Sequence, residues 1–105
     1  FVITNHKGEI LLRKREDKGL LAGMVELPGT AWSLEVPLLP EFAATWDQHP
    51  ERVKHTFTHF HLELTLYHHQ GEVASLAGFW VPVSDLAQHP IPTVMKKVLR
   101  KKGIT

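Results

Sequence analysis

The residues His55–Leu64, HTFTHFHLEL, form the densest group of side chains in the chain that could do chemistry. Hydroxyl, imidazole and aromatic groups alternate here with the period of a strand that has one buried face. One predicted face carries Thr58, Phe60, Leu62 and Leu64, and the other carries His55, Phe57, His59, His61 and Glu63. The second face is either a recognition surface or a solvated sheet face that is rich in histidine.

Three of these side chains, His59, His61 and Glu63, are of types that bind zinc. Residues two apart on a strand lie about 7 Å apart along it, so these three would surround a tetrahedral ion only in a strained strand. We therefore expect no metal in this chain. The sequence also has no cysteine, which excludes a disulfide and a thiolate-bound metal or iron–sulfur cluster within it.

A Nudix-type pyrophosphohydrolase is the main enzymatic alternative, because Leu27-Pro28-Gly29 resembles the lead-in to the catalytic box of that family. The chemistry of that box needs a helix with paired glutamates that hold magnesium. Here Glu35 and Glu41 are isolated, and Pro37 and Pro40 would interrupt a helix. The box is therefore absent. The sequence also lacks the G-x-S-x-G elbow and the glycine-rich phosphate loops of other enzyme classes.

The elements that position these residues follow from turn residues and hydrophobic periodicity. We predict strands over residues 1–4, 9–15, 24–27, 52–68 and 78–81, and short helices over 41–48, from Ser84 and from Thr93. The strand over 52–68 is too long to run without a bend or bulge. The pattern indicates one α+β domain over residues 1–105, with a mixed or antiparallel sheet flanked by short helices. Because the sequence begins inside a predicted strand, we expect it to be a fragment of a longer protein.

The net charge of +1 hides two basic clusters, since ten of the twelve basic residues lie within 1–18 and 96–105. These clusters could converge on one face and meet phosphate groups. The alternative is an ordinary solvated face, together with a helix end whose dipole favours lysine. No apolar run is long enough to cross a bilayer, so we expect no membrane partner.

Four motifs, KGLLAGMVELPG, HTFTHFHLEL, GFWVPVSDL and PTVMKKVL, resemble in order and spacing the C-terminal domain of MutY-type adenine DNA glycosylases. The resemblance covers essentially the whole chain. It implies a Nudix-like fold without Nudix catalysis, which recognises 8-oxoguanine opposite a mispaired adenine in duplex DNA during base-excision repair. It further implies that a separate N-terminal domain removes the adenine and holds the iron–sulfur cluster, so that this domain needs no cofactor and has no catalytic residue.

The recognition triplet of that family, Phe-Ser-His, falls on Phe57-Thr58-His59. The resemblance assigns contact with the oxidised base to Thr58, with Phe57 and His59 shaping the loop or inserting it beside the base pair. A threonine carries a methyl group that restricts its χ1 angle, which serine does not. If Thr58 touches DNA, residues 55–59 must form a loop, because regular alternation would bury Thr58. A buried Thr58 is the alternative.

The remaining expectations concern partners and location. Besides duplex DNA, the resemblance implies the protein's own N-terminal catalytic domain as partner, a monomeric state, and the cytoplasm of a bacterium, at the nucleoid. A stand-alone pyrophosphohydrolase and a non-catalytic protein-interaction domain remain the alternatives. The candidates for contact with the DNA backbone are Arg13, Lys14, Lys97, Lys101 and Lys102.

Overall fold

The computed structural model describes residues 1–104, which form short strands around one α-helix. The strands are β1 (Val2–Thr4), β2 (Glu9–Lys14), β3 (Val25–Glu26), β4 (Asp47–Gln48), β5 (Val53–Thr56), β6 (His61–Leu64), β7 (Tyr67–Gln70) and β8 (Phe79–Pro82). Two 3-10 helices span Glu41–Ala43 and Val83–Gln88, and the α-helix, α1, spans Thr93–Lys101.

The main sheet is mixed, with the strand order β3-β2-β1-β7-β4, and β8 also pairs with β2. The pair β1 and β7 is parallel, whereas the other neighbours are antiparallel. Strands β5 and β6 form a separate two-stranded hairpin. The predicted mixed sheet with short flanking helices is therefore confirmed.

The core lies where α1 packs against the strands. The helix buries Val94, Met95, Val98 and Leu99, whose spacing puts them on one side of a helix. They join Ile10 and Leu12 of β2, Val53 of β5 and Leu62 of β6 in one cluster. Burying a large aliphatic side chain contributes about 1.5–3 kcal/mol, so this cluster fixes the hairpin against the helix. The helix ends before Gly103, which has φ +73°, as predicted.

The predicted helix over 41–48 is wrong beyond its first turn. Only Glu41–Ala43 is helical, and Asp47–Gln48 instead pairs with β7. A helix this short is marginal on its own. Here Trp46 stacks on His69 at 4.7 Å and packs edge-on against Phe1 at 5.5 Å, and these contacts fix the segment at the sheet edge. The helical turn expected from Ser84 exists, but it begins at Val83 without a side-chain cap.

Gly78, just before β8, passes so close to β2 that a side chain would not fit. A Cβ atom at this position would overlap the carbonyl oxygen of Leu12 and lie 3.1 Å from Cδ1 of Leu11. We expect Gly78→Ala to lower the free energy of unfolding by about 1–3 kcal/mol, because backbone must move to relieve the overlap. Urea unfolding followed by tryptophan fluorescence measures this change.

Gly29→Ala is the matched control, because a Cβ there meets no atom within 4 Å. We expect this variant to stay within about 0.5 kcal/mol of the parent. Equal losses in the two variants would show that the close approach of Gly78 to Leu12 is not what requires glycine.

Candidate nucleic-acid interface

The segment with the most reactive side chains is a hairpin, not one long strand. Strand β5 runs antiparallel to β6, with Val53 opposite Leu64 and Thr56 opposite His61. Its tip, residues 57–60, is closed by a hydrogen bond of 2.8 Å that the Phe57 N–H donates to the Phe60 carbonyl. The strand predicted over 52–68, with a bend or bulge, is instead divided into β5, β6 and the start of β7.

The turn places Thr58 and His59 in solvent. Both residues are exposed, and Phe60 is 41% exposed. The alternation that would bury Thr58 with Leu62 stops at the turn and resumes only in β6, where Leu62 is 9% exposed. A buried Thr58 is therefore wrong, and its hydroxyl is available to a ligand. The tip is shorter than the loop predicted over 55–59, since β5 extends to Thr56.

Aromatic rings support the tip from below. The Phe57 ring is half-buried and lies 5.9 Å from the Trp32 ring, 4.8 Å from the Phe60 ring and 4.7 Å from the His55 ring. Aromatic pairs in these geometries contribute about 0.5–1.5 kcal/mol beyond their burial. Phe57 therefore shapes the turn from inside, and Thr58, His59 and Phe60 are left to face outward.

A buried carboxylate, that of Glu26, binds an arginine that in turn contacts the Trp32 ring. Glu26 is 6% exposed and accepts a hydrogen bond of 2.7 Å from Nε of Arg13 and one of 2.5 Å from Nη1 of Arg15. The Arg15 guanidinium also lies 4.5 Å from the centre of the Trp32 ring, a cation–π distance. Contacts therefore run from Glu26 through Arg15 and Trp32 to Phe57. Glu26 was not among the predicted functional residues, although an acid inside the apolar segment MVELP is a signal of a buried ion pair.

The five basic residues predicted to contact DNA lie in several places. Arg13 is engaged by Glu26 and by the Gly29 carbonyl, and Lys14 pairs with Asp17 at 3.4 Å. Lys102 is half-buried. Burial of the His68 imidazole and, as a smaller cause, the positive charge of Lys102 hold the pKa of His68 below its usual range. Of these five residues, Lys97 and Lys101 line the same surface groove.

That feature is an open groove of about 530 Å³ between β5 and α1, which we call the cationic groove. It is lined by Arg52, Val53, Lys54, Lys97, Arg100 and Lys101. Arg52 and Lys54 were not among the predicted contacts, because they lie 41 and 39 positions before the start of the helix at Thr93. Their alternation around the buried Val53 is the signal that both point away from the core.

Comparison with known proteins identifies the fold. The NUDIX domain family matches residues 1–101. The chain belongs to this family. A search among curated proteins gives no match.

A solved structure places this NUDIX domain more closely. The chain is similar to the C-terminal domain of mouse MUTYH, known from the crystal structure of its complex with human PCNA, with a TM-score of 0.72 and 25% sequence identity. The match covers 97% of this chain and 83% of the mouse chain. The predicted resemblance to the Nudix-like C-terminal domain of MutY-type proteins is thus confirmed.

In this NUDIX domain, an irregular segment follows Pro28-Gly29 where hydrolases of the family would carry their box. Residues 30–40 contain no helix or strand, and Leu34, Val36 and Leu38 are almost fully exposed. Glu35 and Glu41 are exposed. Across residues 1–104, no three histidine or carboxylate side chains gather as metal ligands would. Within the same residues, no helix is long and apolar enough to cross a membrane.

Proposed function

We propose that this chain is the lesion-recognition domain of an adenine DNA glycosylase, and that it reads 8-oxoguanine opposite adenine in duplex DNA. The observation that carries this proposal is the exposed hydroxyl of Thr58 at the tip of a hairpin supported by aromatic rings. The likeness to the C-terminal domain of MUTYH supports it.

The chemistry of the oxidised base fits a hydroxyl at this position. Normal guanine presents N7 to the major groove as an acceptor, whereas oxidation at C8 gives N7 a proton and adds a carbonyl oxygen. A threonine hydroxyl accepts one hydrogen bond and donates another, so it can accept from the new N–H. Phe57 packs against Trp32 beneath the turn, and His59 lies next to Thr58 and is exposed.

The catalytic step belongs to the parent protein. Hydrolysis of the N-glycosidic bond of adenine needs carboxylates beside a flipped-out base. We place them, with an iron–sulfur cluster, in an N-terminal domain outside this chain. This chain then binds duplex DNA and the catalytic domain of the same protein, and it catalyses no reaction itself. The protein acts as a monomer in the bacterial cytoplasm.

The direct test is an NMR titration of the isotope-labelled chain with two duplexes, one with 8-oxoguanine opposite adenine and one with guanine opposite adenine. We expect tighter binding of the oxidised duplex, with the largest shifts at Thr58 and its neighbours. Thr58→Val keeps the shape but removes the hydroxyl, and it should remove about 1–3 kcal/mol of this preference. Thr58→Ser is the matched control and should retain the preference, because the hydroxyl remains.

Three other results would contradict the proposal. Equal affinity of the unsubstituted chain for both duplexes would indicate only non-specific contact with DNA. Magnesium-dependent release of phosphate from an oxidised nucleoside triphosphate would favour a pyrophosphohydrolase. Binding of neither duplex nor nucleotide would favour an interaction domain.

A further inference from the structure

We propose that the cationic groove between β5 and α1 binds the phosphate backbone of the same duplex, beside the lesion that the hairpin tip reads. This inference rests on the proposed function for the identity of the partner. The charge of the groove is evidence that does not depend on Thr58, whereas the choice of the DNA backbone as its ligand depends on the position of the groove relative to Thr58. The groove combines Arg52 and two residues of β5 with three residues of α1, which lie far apart in the sequence.

Positive charge in the groove is only partly compensated. The Glu63 carboxylate lies 3.3 Å from Nη1 of Arg52 and 3.9 Å from Nζ of Lys54. The Glu51 carboxylate lies 3.3 Å from Nζ of Lys101. Five cationic side chains thus face two carboxylates. These pairs are largely solvated, and exposed pairs contribute only about 0–1 kcal/mol, so a phosphate can displace them at small cost.

Two of the five cations are not held by acids. The Nζ atom of Lys97 donates to the carbonyl oxygen of Lys54 at 3.4 Å, and Nε of Arg100 donates to the carbonyl oxygen of Lys96 at 3.4 Å. Within residues 1–104, no carboxylate lies at ion-pair distance from either side chain. Both retain N–H donors for an anion.

The position of the groove selects the DNA backbone among possible anions. Strand β5 forms one wall and then leads directly to the tip, so Lys54 and Thr58 are four residues apart on one hairpin arm. A fully extended segment of four residues spans about 13 Å at about 3.3 Å each, and the turn at residues 57–60 makes the separation of Lys54 and Thr58 shorter than that. The upper limit of about 13 Å corresponds to about four base pairs of duplex at about 3.4 Å per pair. A duplex read by Thr58 would therefore bring nearby phosphates to the groove.

The test is the salt dependence of binding to the same two duplexes. Each lysine or arginine that contacts a phosphate contributes about 1 to the slope of log K against log salt. We expect Lys97→Gln with Arg100→Gln to reduce the slope by about 2, and to weaken binding to both duplexes by the same factor. The preference for the oxidised duplex should not change.

A matched control removes two exposed lysines that do not line the groove, Lys7→Gln with Lys18→Gln. This variant has the same net charge as the groove variant. Its slope of log K against log salt should stay close to that of the unsubstituted chain. An unchanged slope in the groove variant, or equal reductions in both variants, would overturn the inference. Circular dichroism of both variants verifies that the fold is intact.

The position of the contact is tested by replacing single phosphates with neutral methylphosphonates. Losses should be confined to linkages within about four base pairs of the lesion, and they should be smaller in the groove variant, which keeps Arg52, Lys54 and Lys101. Losses of unchanged size in that variant would place the contact elsewhere on the protein.

The same data separate this inference from the proposed function. A reduced slope without any preference for the oxidised duplex would overturn lesion reading alone. A preference that depends on Thr58, with an unchanged slope in the groove variant, would overturn the groove alone. Binding to neither duplex would overturn both.

Discussion

Glu26→Ala should lower the free energy of unfolding by about 2–3 kcal/mol. Removing one partner of a wholly buried ion pair costs about 3–5 kcal/mol, because the remaining charge is buried without compensation. Here the carboxylate is buried, but the side chains of Arg13 and Arg15 are 37% and 21% exposed. Water can therefore reach the two guanidinium groups and reduce the loss. Urea is the suitable denaturant, since it adds no ions to screen the pairs.

Glu16→Ala is the control for this prediction, because Glu16 is an exposed acid that follows the same strand, β2. We expect a change within about 0.5 kcal/mol. If Glu26→Ala were as mild as Glu16→Ala, the two arginines would not depend on Glu26 for their placement. We also expect Glu26→Ala to alter the chemical shifts of Trp32 and Phe57, because Arg15 lies against Trp32.

Phe57→Ala should lower the free energy of unfolding by about 2 kcal/mol and disorder the turn that presents Thr58. Truncating a fully buried phenylalanine costs about 3–5 kcal/mol, and Phe57 is only half-buried. The variant loses ring contacts with Trp32, Phe60 and His55. Urea unfolding measures the loss in stability, and the Thr58 amide shift reports on the turn.

Phe60→Ala is the neighbouring control. Phe60 is 41% exposed and its ring contacts that of Phe57, so we expect the free energy of unfolding to fall by less than about 1 kcal/mol. Equal losses for Phe57→Ala and Phe60→Ala would mean that the two rings support the turn alike. The assignment of Phe57 to the inside of the turn would then fail.

Elements that depend on local signals could be predicted from the sequence. Asn5 and Gly8 form the turn before β2, where the Asn5 carboxamide oxygen accepts hydrogen bonds from the amides of Lys7 and Glu9. The helix α1 follows from the spacing of its apolar residues, and Gly103 ends it. In both places, the residue types that favour the structure lie within a few positions of one another.

The hairpin tip could not be predicted from periodicity, because its residues continue the alternation of the strands on both sides. Phe57–Phe60 contains no glycine, asparagine or proline to mark a turn. The contact with Trp32, which is 25 positions earlier, stabilises the turn instead. The resemblance to the Phe-Ser-His triplet pointed to Thr58 as the recognition residue, and the structure shows that Thr58 is exposed.

The cationic groove was beyond sequence reasoning for a related reason. Charges that are neighbours in the chain do not reveal the groove, because it depends on the packing of β5 against α1. Val53 and Val98, one from each element, share the core beneath it. The apolar contacts therefore determine which basic residues meet, and they leave Arg13 and Lys14 outside the groove.

The hairpin of β5 and β6 shares no strand pairing with the main sheet in residues 1–104. Side-chain contacts, not a backbone ladder, attach it to the domain through Val53, Leu62 and Phe57. Segments attached in this way can open as cooperative units at a lower free energy than the whole fold. If the chain binds a duplex as proposed, the tip would be able to move against it while the pairing of the main sheet stays intact. The conformational entropy lost on such binding would then fall mainly on the hairpin, about a dozen residues.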